Sequence, residues 1–252
     1  MRLSDITPVI LTRDEEPNLA RTLAQLTWAE DVVIVDSFST DATVEIAKRF
    51  PNVRVAQRTM DTLADQSNHG LQQARTPWAL LLDADYFMPA AFVDELRTLD
   101  PPPGVRAYRA AFRYAVGGKP LRASLYPARV VLLHRDHARV WQDGHAHRVG
   151  VDGDVGTLDA KIIHDDRKSF ARFLERQRRY MREEADKLRH ADPRTLSAAG
   201  HVRKLIVVAP LAVVVHTLFV KGVILDGLPG LRYTWERFVA ELILSREMLR
   251  RR

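Results

Sequence analysis

The chain has 252 residues and contains no cysteine. Disulfides and thiolate zinc sites are therefore excluded, and nothing in the composition points to an oxidising compartment. The first residues, Met1–Pro8, do not show a charged segment followed by an apolar one. We therefore expect no export signal.

Glycine is missing from the segment after the first predicted strand, Thr12–Glu16. A sugar nucleotidyltransferase would need a glycine-rich, basic loop there, because its backbone N–H groups must approach phosphate closely. The sequence disfavours that function, which is kept as an alternative.

Acidic side chains are outnumbered by basic ones, which gives a net charge of +6. This balance predicts an anionic partner: nucleic acid, acidic lipid or a phosphorylated substrate. The arginines concentrate beside an apolar C-terminal segment rather than among exposed aromatics. We therefore predict a membrane surface as a partner and no nucleic acid.

The most informative stretch is a short apolar run, Trp78–Leu82, which ends in Asp83 and Asp85. A run of this length predicts a strand buried on both faces. Carboxylates at i and i+2 of a strand point the same way, so the pair can hold a divalent cation that bridges a diphosphate. A polar strand end without metal is the alternative.

Three further apolar runs predict strands over residues 7–12, 31–36 and 53–56, with helices between them. Such alternation favours an α/β fold with a parallel, three-layer sheet. Ligands bind beyond the carboxyl ends of the strands in such sheets. Thr12, Asp36 and Asp83 are therefore expected around one crevice.

Four motifs resemble those of family 2 glycosyltransferases with the GT-A fold, in order and spacing: Thr12–Asn18, Val35–Thr43, Asp65–Asn68 and Leu82–Asp85. The resemblance implies an inverting hexosyltransferase that uses a nucleotide-diphosphate sugar, foremost a UDP-sugar, with Mg2+ or Mn2+. It implies that Asp36 contacts the base, and that Asp83 and Asp85 contact the ribose and the metal–diphosphate. The other donor-binding candidates are Thr12, Arg13, Glu15, Ser37, Gln66, Asn68 and Ala84. Ser67 departs from the family, which often has Lys or Arg there.

An inverting transfer needs a base for the acceptor hydroxyl. The catalytic candidates are Asp143, His147 and Asp166, with Asp165, His145 and His164 as further acids, bases or metal ligands. Asp143 is the first choice, although Asp143-Gly144 also fits a turn. Relatives often have Glu after the histidine where this chain has Arg148, so a catalytically degenerate, donor-binding scaffold at the membrane is a second alternative.

The C-terminal part contains an apolar segment, Leu205–Val220, which is short for a membrane-spanning helix and is interrupted by Pro210. A polar, basic helix over residues 169–188 precedes it. The tail resembles that of the lipopolysaccharide-core subgroup, which implies a lipid-linked saccharide acceptor. We predict peripheral, monotopic attachment or a shallow re-entrant hairpin through residues 205–225 at the cytoplasmic face of the inner membrane, with a true span and burial in a soluble core as the alternatives. The predicted regions are a donor half (1–100), an acceptor half (101–168) and a helical, membrane-associating extension (169–252).

Overall fold

The computed structural model describes residues 1–59, 61–143 and 146–250, with the backbone alone for residues 146 and 147. These residues form two compact units. The first unit comprises residues 1–113 and 126–167, and the second comprises residues 114–125 and 168–252. The predicted boundaries at residues 100 and 168 stay predictions.

The main sheet has the strand order β3-β2-β1-β4-β8-β6-β11-β5, with β7 paired to β6, and β9 and β10 form a separate two-stranded sheet. The strands are β1 Ile6–Thr12, β2 Val32–Asp36, β3 Val53–Gln57, β4 Trp78–Asp83, β5 Tyr86–Phe87, β6 Val105–Val116, β7 Lys119–Pro120, β8 Arg129–His134, β9 Ala138–Asp143, β10 Ala146–Val151 and β11 Asp154–His164. The predicted parallel order is confirmed for β3, β2, β1 and β4. Beyond β4 the sheet is mixed, because β8 joins β4 and β6 in antiparallel pairs.

In the first unit, helices cover both faces of the sheet, as a three-layer α/β fold requires. They are α1 Leu19–Leu23, α2 Thr43–Ala47, α3 Leu63–Gln73 and α4 Ala90–Thr98. The helices of the second unit are α5 Phe170–His190, α6 Ala198–Lys204, α7 Val208–Val215 and α8 Leu228–Arg250. Alternate residues of the central strands pack into two separate hydrophobic cores. Ile10 and Ile34 pack in one core, whereas Val9 and Val33 pack in the other with residues of α3. This alternation explains why the central strands read as continuous apolar runs.

The second unit has its own core, built mainly by α5 and α8. Met181, Leu188 and Leu244 belong to it. The predicted helix over residues 169–188 is confirmed as α5, which begins after Ser169, whose hydroxyl accepts a hydrogen bond from the Arg172 N–H.

The apolar segment Leu205–Val220 forms α7 and a π-helical turn, His216–Val220, rather than one long helix. Pro210 lies in the first turn of α7, where its missing N–H is not needed. Within the ranges described above, no helix combines the length and the apolarity needed to cross a membrane.

Candidate active site

Three polar strand ends meet at one edge of the sheet, as predicted. Thr12 at the end of β1 is level with Asp36 at the end of β2. On its other side, β1 brings Leu11 level with Asp83 of β4. The parallel pairing of these strands therefore collects the side chains of the first, second and fourth motifs at the carboxyl edge.

Asp36 is fully buried and its carboxylate is saturated by intramolecular hydrogen bonds. Oδ1 accepts from the hydroxyls of Thr12 (2.9 Å) and Ser39 (2.5 Å). Oδ2 accepts from the Ser39 N–H (3.0 Å) and from Nε2 of Gln57 (3.1 Å). Asp36 thus fixes the loop that follows β2. Its predicted contact with a base stays a prediction.

The loops after β1 and β2 are tied together by reciprocal bonds. Asp14 Oδ1 accepts from the Thr40 N–H (2.8 Å), and the Asp14 N–H donates to the Ser39 hydroxyl (2.9 Å). The Glu15 N–H donates to the hydroxyl of Thr43 (2.7 Å) in the first turn of α2. The predicted donor loop around Arg13 and Glu15 is therefore ordered by the chain itself.

Two residues of these loops have left-handed backbone angles without being glycine. Asp14 has φ 53° and Phe38 has φ 54°. For a bulky residue such as Phe38 this conformation is strained, and strain of this kind concentrates where a loop is shaped for a ligand. The Phe38 side chain is 54% exposed, next to buried Ser37. Sequence reasoning did not single out Phe38.

Asp85 contacts a histidine from a distant strand. Its Oδ2 lies 3.0 Å from Nε2 of His164, and its carbonyl accepts from the Asp165 N–H (3.0 Å). Burial disfavours the charged imidazole, but the carboxylates of Asp85 and Asp83 outweigh this and raise the pKa of His164. The end of β11 is thereby joined to the Asp83-Ala84-Asp85 motif. The carbonyl of buried Ala84 accepts from the hydroxyl of Thr22 (2.6 Å).

Asp165 is buried between two arginines. Oδ2 accepts from Nη1 of Arg21 (2.5 Å) and from Nη2 of Arg167 (2.7 Å). Its exposed fraction is 3%. Asp165 therefore stabilises the segment that carries its neighbour Asp166.

Asp166 is joined to the first loop through fully buried Asn18. Nδ2 of Asn18 donates to Glu15 Oε2 (2.9 Å) and to Asp166 Oδ1 (3.1 Å). The Arg167 N–H donates to Oδ1 of the same amide (2.9 Å). The structure thus brings Asp166, a predicted catalytic residue, close to Glu15, a predicted donor-binding residue.

Arg129, Tyr86 and Tyr126 adjoin the motif and were missed from the sequence. A small cavity is lined by Asp83, Tyr86, Arg129 and neighbouring residues of β4 and β8. The hydroxyls of Tyr86 and Tyr126 lie 2.7 Å apart, and the Arg129 guanidinium lies 4.7 Å from the centre of the Tyr126 ring. Burial, followed by the charge of Asp83, raises the pKa of Tyr86. Arg129 therefore places a cation in the lining of the cavity that Asp83 also lines.

The two predicted residues of α3 bond mainly to backbone groups of other segments. Nε2 of buried Gln66 donates to the Ser37 hydroxyl (3.2 Å) and to two carbonyls of the loop before α3. Asn68 bonds to both backbone groups of Val140, with distances of 2.7 and 3.0 Å. Asn68 therefore joins α3 to β9. Ser67 is fully buried and donates to the carbonyl of Leu63.

Asp143, the first choice for the base, lies at the end of β9 in the two-stranded sheet rather than at the main-sheet edge. Its Oδ2 accepts from Nε of Arg148 (2.5 Å) across the β9–β10 hairpin. His145 and the side chain of His147 lie outside the described residues. The roles of all three stay predictions.

In the part of the chain that the structure describes, no group of three or more Asp, Glu or His side chains is arranged to hold a metal. Asp83 and Asp85 nevertheless fit Mg2+ or Mn2+ chemically. Such ions are held by one or two carboxylates together with substrate phosphates rather than by a cage of protein ligands.

Residues 7–98 match the family model "Glycosyl transferase family 2". This segment contains all four motifs, β1 apart from its first residue, and the strands β2 to β4.

Solved structures that match this chain by structural comparison include S. aureus TarS 1-349 in complex with UDP-GlcNAc. Its sequence identity is 14%, the TM-score is 0.44, and the match covers 100% of this chain and 92% of that one. Another is the glucosyl-3-phosphoglycerate synthase from Mycobacterium tuberculosis in complex with Mn2+, UDP and phosphoglyceric acid, with 14% identity, a TM-score of 0.46, and coverage of 75% and 80%. Likeness at this level is too low to transfer an activity.

Proposed function

We propose that the protein is an inverting family 2 glycosyltransferase that moves a hexose from a nucleotide-diphosphate sugar, foremost a UDP-sugar. The observation that carries the proposal is the meeting of Thr12, Asp36 and Asp83 at one sheet edge. These residues lie within the segment that matches the family.

The donor half of the site is preorganised by its own hydrogen bonds. Asp36 holds the loop after β2, and that loop holds the one after β1. A loop that is already ordered loses little conformational entropy when a nucleotide binds. Asp83 and Asp85 would hold Mg2+ or Mn2+, which offsets the negative charge of the diphosphate leaving group.

Arg129 is the second positive element of this proposal. It lies in the wall of the cavity that Asp83 also lines. A guanidinium keeps its charge at all relevant pH values and donates to phosphate oxygens in pairs. We assign it to charge stabilisation of the departing diphosphate.

Asp166 is our candidate for the base that takes the proton of the acceptor hydroxyl. It follows β11, which is joined to Asp85 through His164. Asp143 is ion-paired in the other sheet. If Asp166 is the base, Asp166→Asn lowers kcat by about 10²-fold or more while donor affinity is kept, since general-base catalysis contributes about this much. The same loss in Asp143→Asn instead would reassign the role.

For the acceptor we propose a lipid-linked saccharide such as a lipopolysaccharide core, reached at the cytoplasmic face of the inner membrane. Support comes from the second unit, where apolar side chains are exposed beside basic ones. A lipid-linked acceptor would require the enzyme to work at a membrane surface.

Calorimetry with UDP-, GDP- and dTDP-sugars, with and without Mn2+, tests the proposal. We expect metal-dependent binding of one donor, lost in Asp83→Ala and kept in the control Asp152→Ala, whose side chain is 96% exposed. Binding without transfer to any acceptor would favour the degenerate scaffold. Release of diphosphate from a nucleoside triphosphate and a sugar phosphate would favour the nucleotidyltransferase.

A further inference from the structure

The second unit exposes a dense set of large apolar side chains between α7 and the first turns of α8. Each is 43% exposed or more. We call this set the apolar surface: Val208, Leu211, Val215, Phe219, Val220, Ile224, Leu225, Leu228, Leu231 and Trp235. A folded chain rarely leaves so many neighbouring apolar side chains in water without a partner for them.

Helical spacing makes these exposures systematic. On α7 the exposed residues Val208, Leu211 and Val215 recur at i, i+3 and i+7, and therefore share one face. The same spacing recurs on α8 with Leu228, Leu231 and Trp235. The two helices pack against each other. The short turns that connect them contact each other and the adjacent helices. The apolar surface is thus continuous along the chain.

The exposed charges beside this surface are mainly positive. Residues 201–252 contain nine Lys and Arg but four Asp and Glu. Each of the four carboxylates is at most 11% exposed and paired with an arginine: Asp226 with Arg122, Glu236 with Arg232, Glu241 with Arg203, and Glu247 with Arg250. Lys221 and Arg246 are exposed. The water-facing charge around the apolar surface is therefore positive.

We propose that the apolar surface inserts into the head-group region of an anionic bilayer, with Leu211, Phe219, Leu228 and Trp235 among the acyl chains. This inference deepens the membrane location in the proposed function by naming the attaching residues. A helix pair with an apolar face and a basic flank lies in the plane of the interface. Each cation close to anionic lipid adds further attraction.

A second copy of the chain fits this surface less well. A two-fold interface sets the same patch against itself, so the basic residues of both copies would face one another. Such like-charge contacts weaken association, whereas anionic lipid turns the same charges into attraction. Charge complementarity therefore selects the bilayer.

Flotation of the full-length protein with lipid vesicles tests the proposal. We expect binding to vesicles of phosphatidylcholine with phosphatidylglycerol, weaker binding to phosphatidylcholine alone, and a decrease with added salt. Leu211→Ser/Phe219→Ser should lower the partition coefficient by about 100-fold, at about tenfold for each large side chain withdrawn from the bilayer. The matched control is Leu249→Ser/Phe170→Ser, which changes an exposed leucine and phenylalanine of the same unit outside the surface.

The fluorescence of Trp235 provides an independent measurement of vesicle binding. Brominated acyl chains should quench its fluorescence on binding, and Trp235→Phe should remove the quenched component. Absence of vesicle binding, equal loss in the control pair, or self-association that the Leu211/Phe219 variant abolishes would overturn the proposal. Vesicle binding requires no sugar donor. Donor binding without vesicle binding therefore rejects this inference alone, and the reverse result rejects the transferase alone.

Discussion

The two units use their hydrophobic side chains differently. Among the described residues, the first unit exposes two large apolar side chains, Phe38 and Trp141, whereas the second exposes sixteen. The first unit keeps its apolar residues in two cores on either side of a sheet and presents polar strand ends. The second has a small core and a large apolar surface. Chemistry is therefore expected in one unit and attachment in the other.

Each unit contains a charged triad whose carboxylates are buried, but the central residue is an acid in the first unit and a base in the second. In the first, the carboxylate of Asp165 lies between Arg21 and Arg167. In the second, the guanidinium of Arg203 lies between Glu184 and Glu241 (3.2 and 2.8 Å). The outer groups differ in exposure: the arginines are 27% and 40% exposed, and the glutamates are 10% exposed each. The second triad is thus more dependent on its central residue.

The largest effect is expected from Asp83→Ala and Asp85→Ala. Loss of either carboxylate should lower kcat/KM for transfer by about 10³-fold, because the charge of the leaving diphosphate would no longer be offset. Initial rates at varied Mn2+ concentration measure this loss. Vesicle binding should be unchanged, which would sharpen the division between the units.

Asp85→Asn is the control for a purely structural role. It keeps a polar side chain beside His164 but weakens a metal ligand. Activity close to wild type in Asp85→Asn would contradict the assignment of Asp85 to the metal.

The next largest effect is on stability, from Arg203→Met. This change removes the cation between two carboxylates that hardly reach water, and it should lower the free energy of unfolding by about 3 kcal/mol. Asp165→Asn should cost less, about 2 kcal/mol, because its arginines are partly solvated. Urea denaturation of both variants decides the order. The reverse order would break the comparison of the triads.

The sequence predicted the elements that depend on local pattern. Apolar runs located β1, β2 and β4, and their parallel pairing placed Thr12, Asp36 and Asp83 together. The helices predicted between the first three strands are short in the structure, where α1 and α2 have five residues each. In both places the helix ends after five residues and the chain continues in turns. The periodicity of apolar residues does not predict where a helix ends.

Long-range contacts of the site were not predictable in the same way. Arg129 and His164 come next to Asp83 and Asp85 because β8 and β11 join the main sheet far along the chain. The bond between Asn68 and Val140 also joins distant segments. No residue spacing signals such pairings, because they arise from strand order rather than from local pattern.

A smaller effect is expected where one side chain satisfies backbone groups. Asn68→Ala in the first unit would leave the N–H and the carbonyl of Val140 without the Asn68 side chain, at a cost of about 2 kcal/mol. In the second unit, the hydroxyl of buried Tyr233 accepts from the Leu125 N–H (2.8 Å). Tyr233→Phe removes this single bond and should cost about 1 kcal/mol. Thermal unfolding of the Asn68→Ala and Tyr233→Phe variants measures the two losses of stability. Equal losses would show that the second bond to Val140 contributes little.

The smallest effect on stability, and the one that tests the loops most directly, is expected from Phe38. Its left-handed backbone costs roughly 1 kcal/mol that glycine would not incur, so Phe38→Gly should leave stability within about 1 kcal/mol of wild type.

If the exposed ring stacks on the donor base, the same change should weaken donor binding by about tenfold, since base–aromatic stacking is worth about 1–3 kcal/mol. Trp141→Ala, which removes another exposed aromatic side chain of the unit, is the control and should leave donor affinity unchanged. Improved stability with unchanged donor affinity in Phe38→Gly would contradict a ligand role for this strained residue. Weaker binding at equal stability would extend the site of the first unit to its exposed aromatic side chain. The difference between the units would then lie in what their exposed apolar groups contact: a nucleotide base in one and lipid in the other.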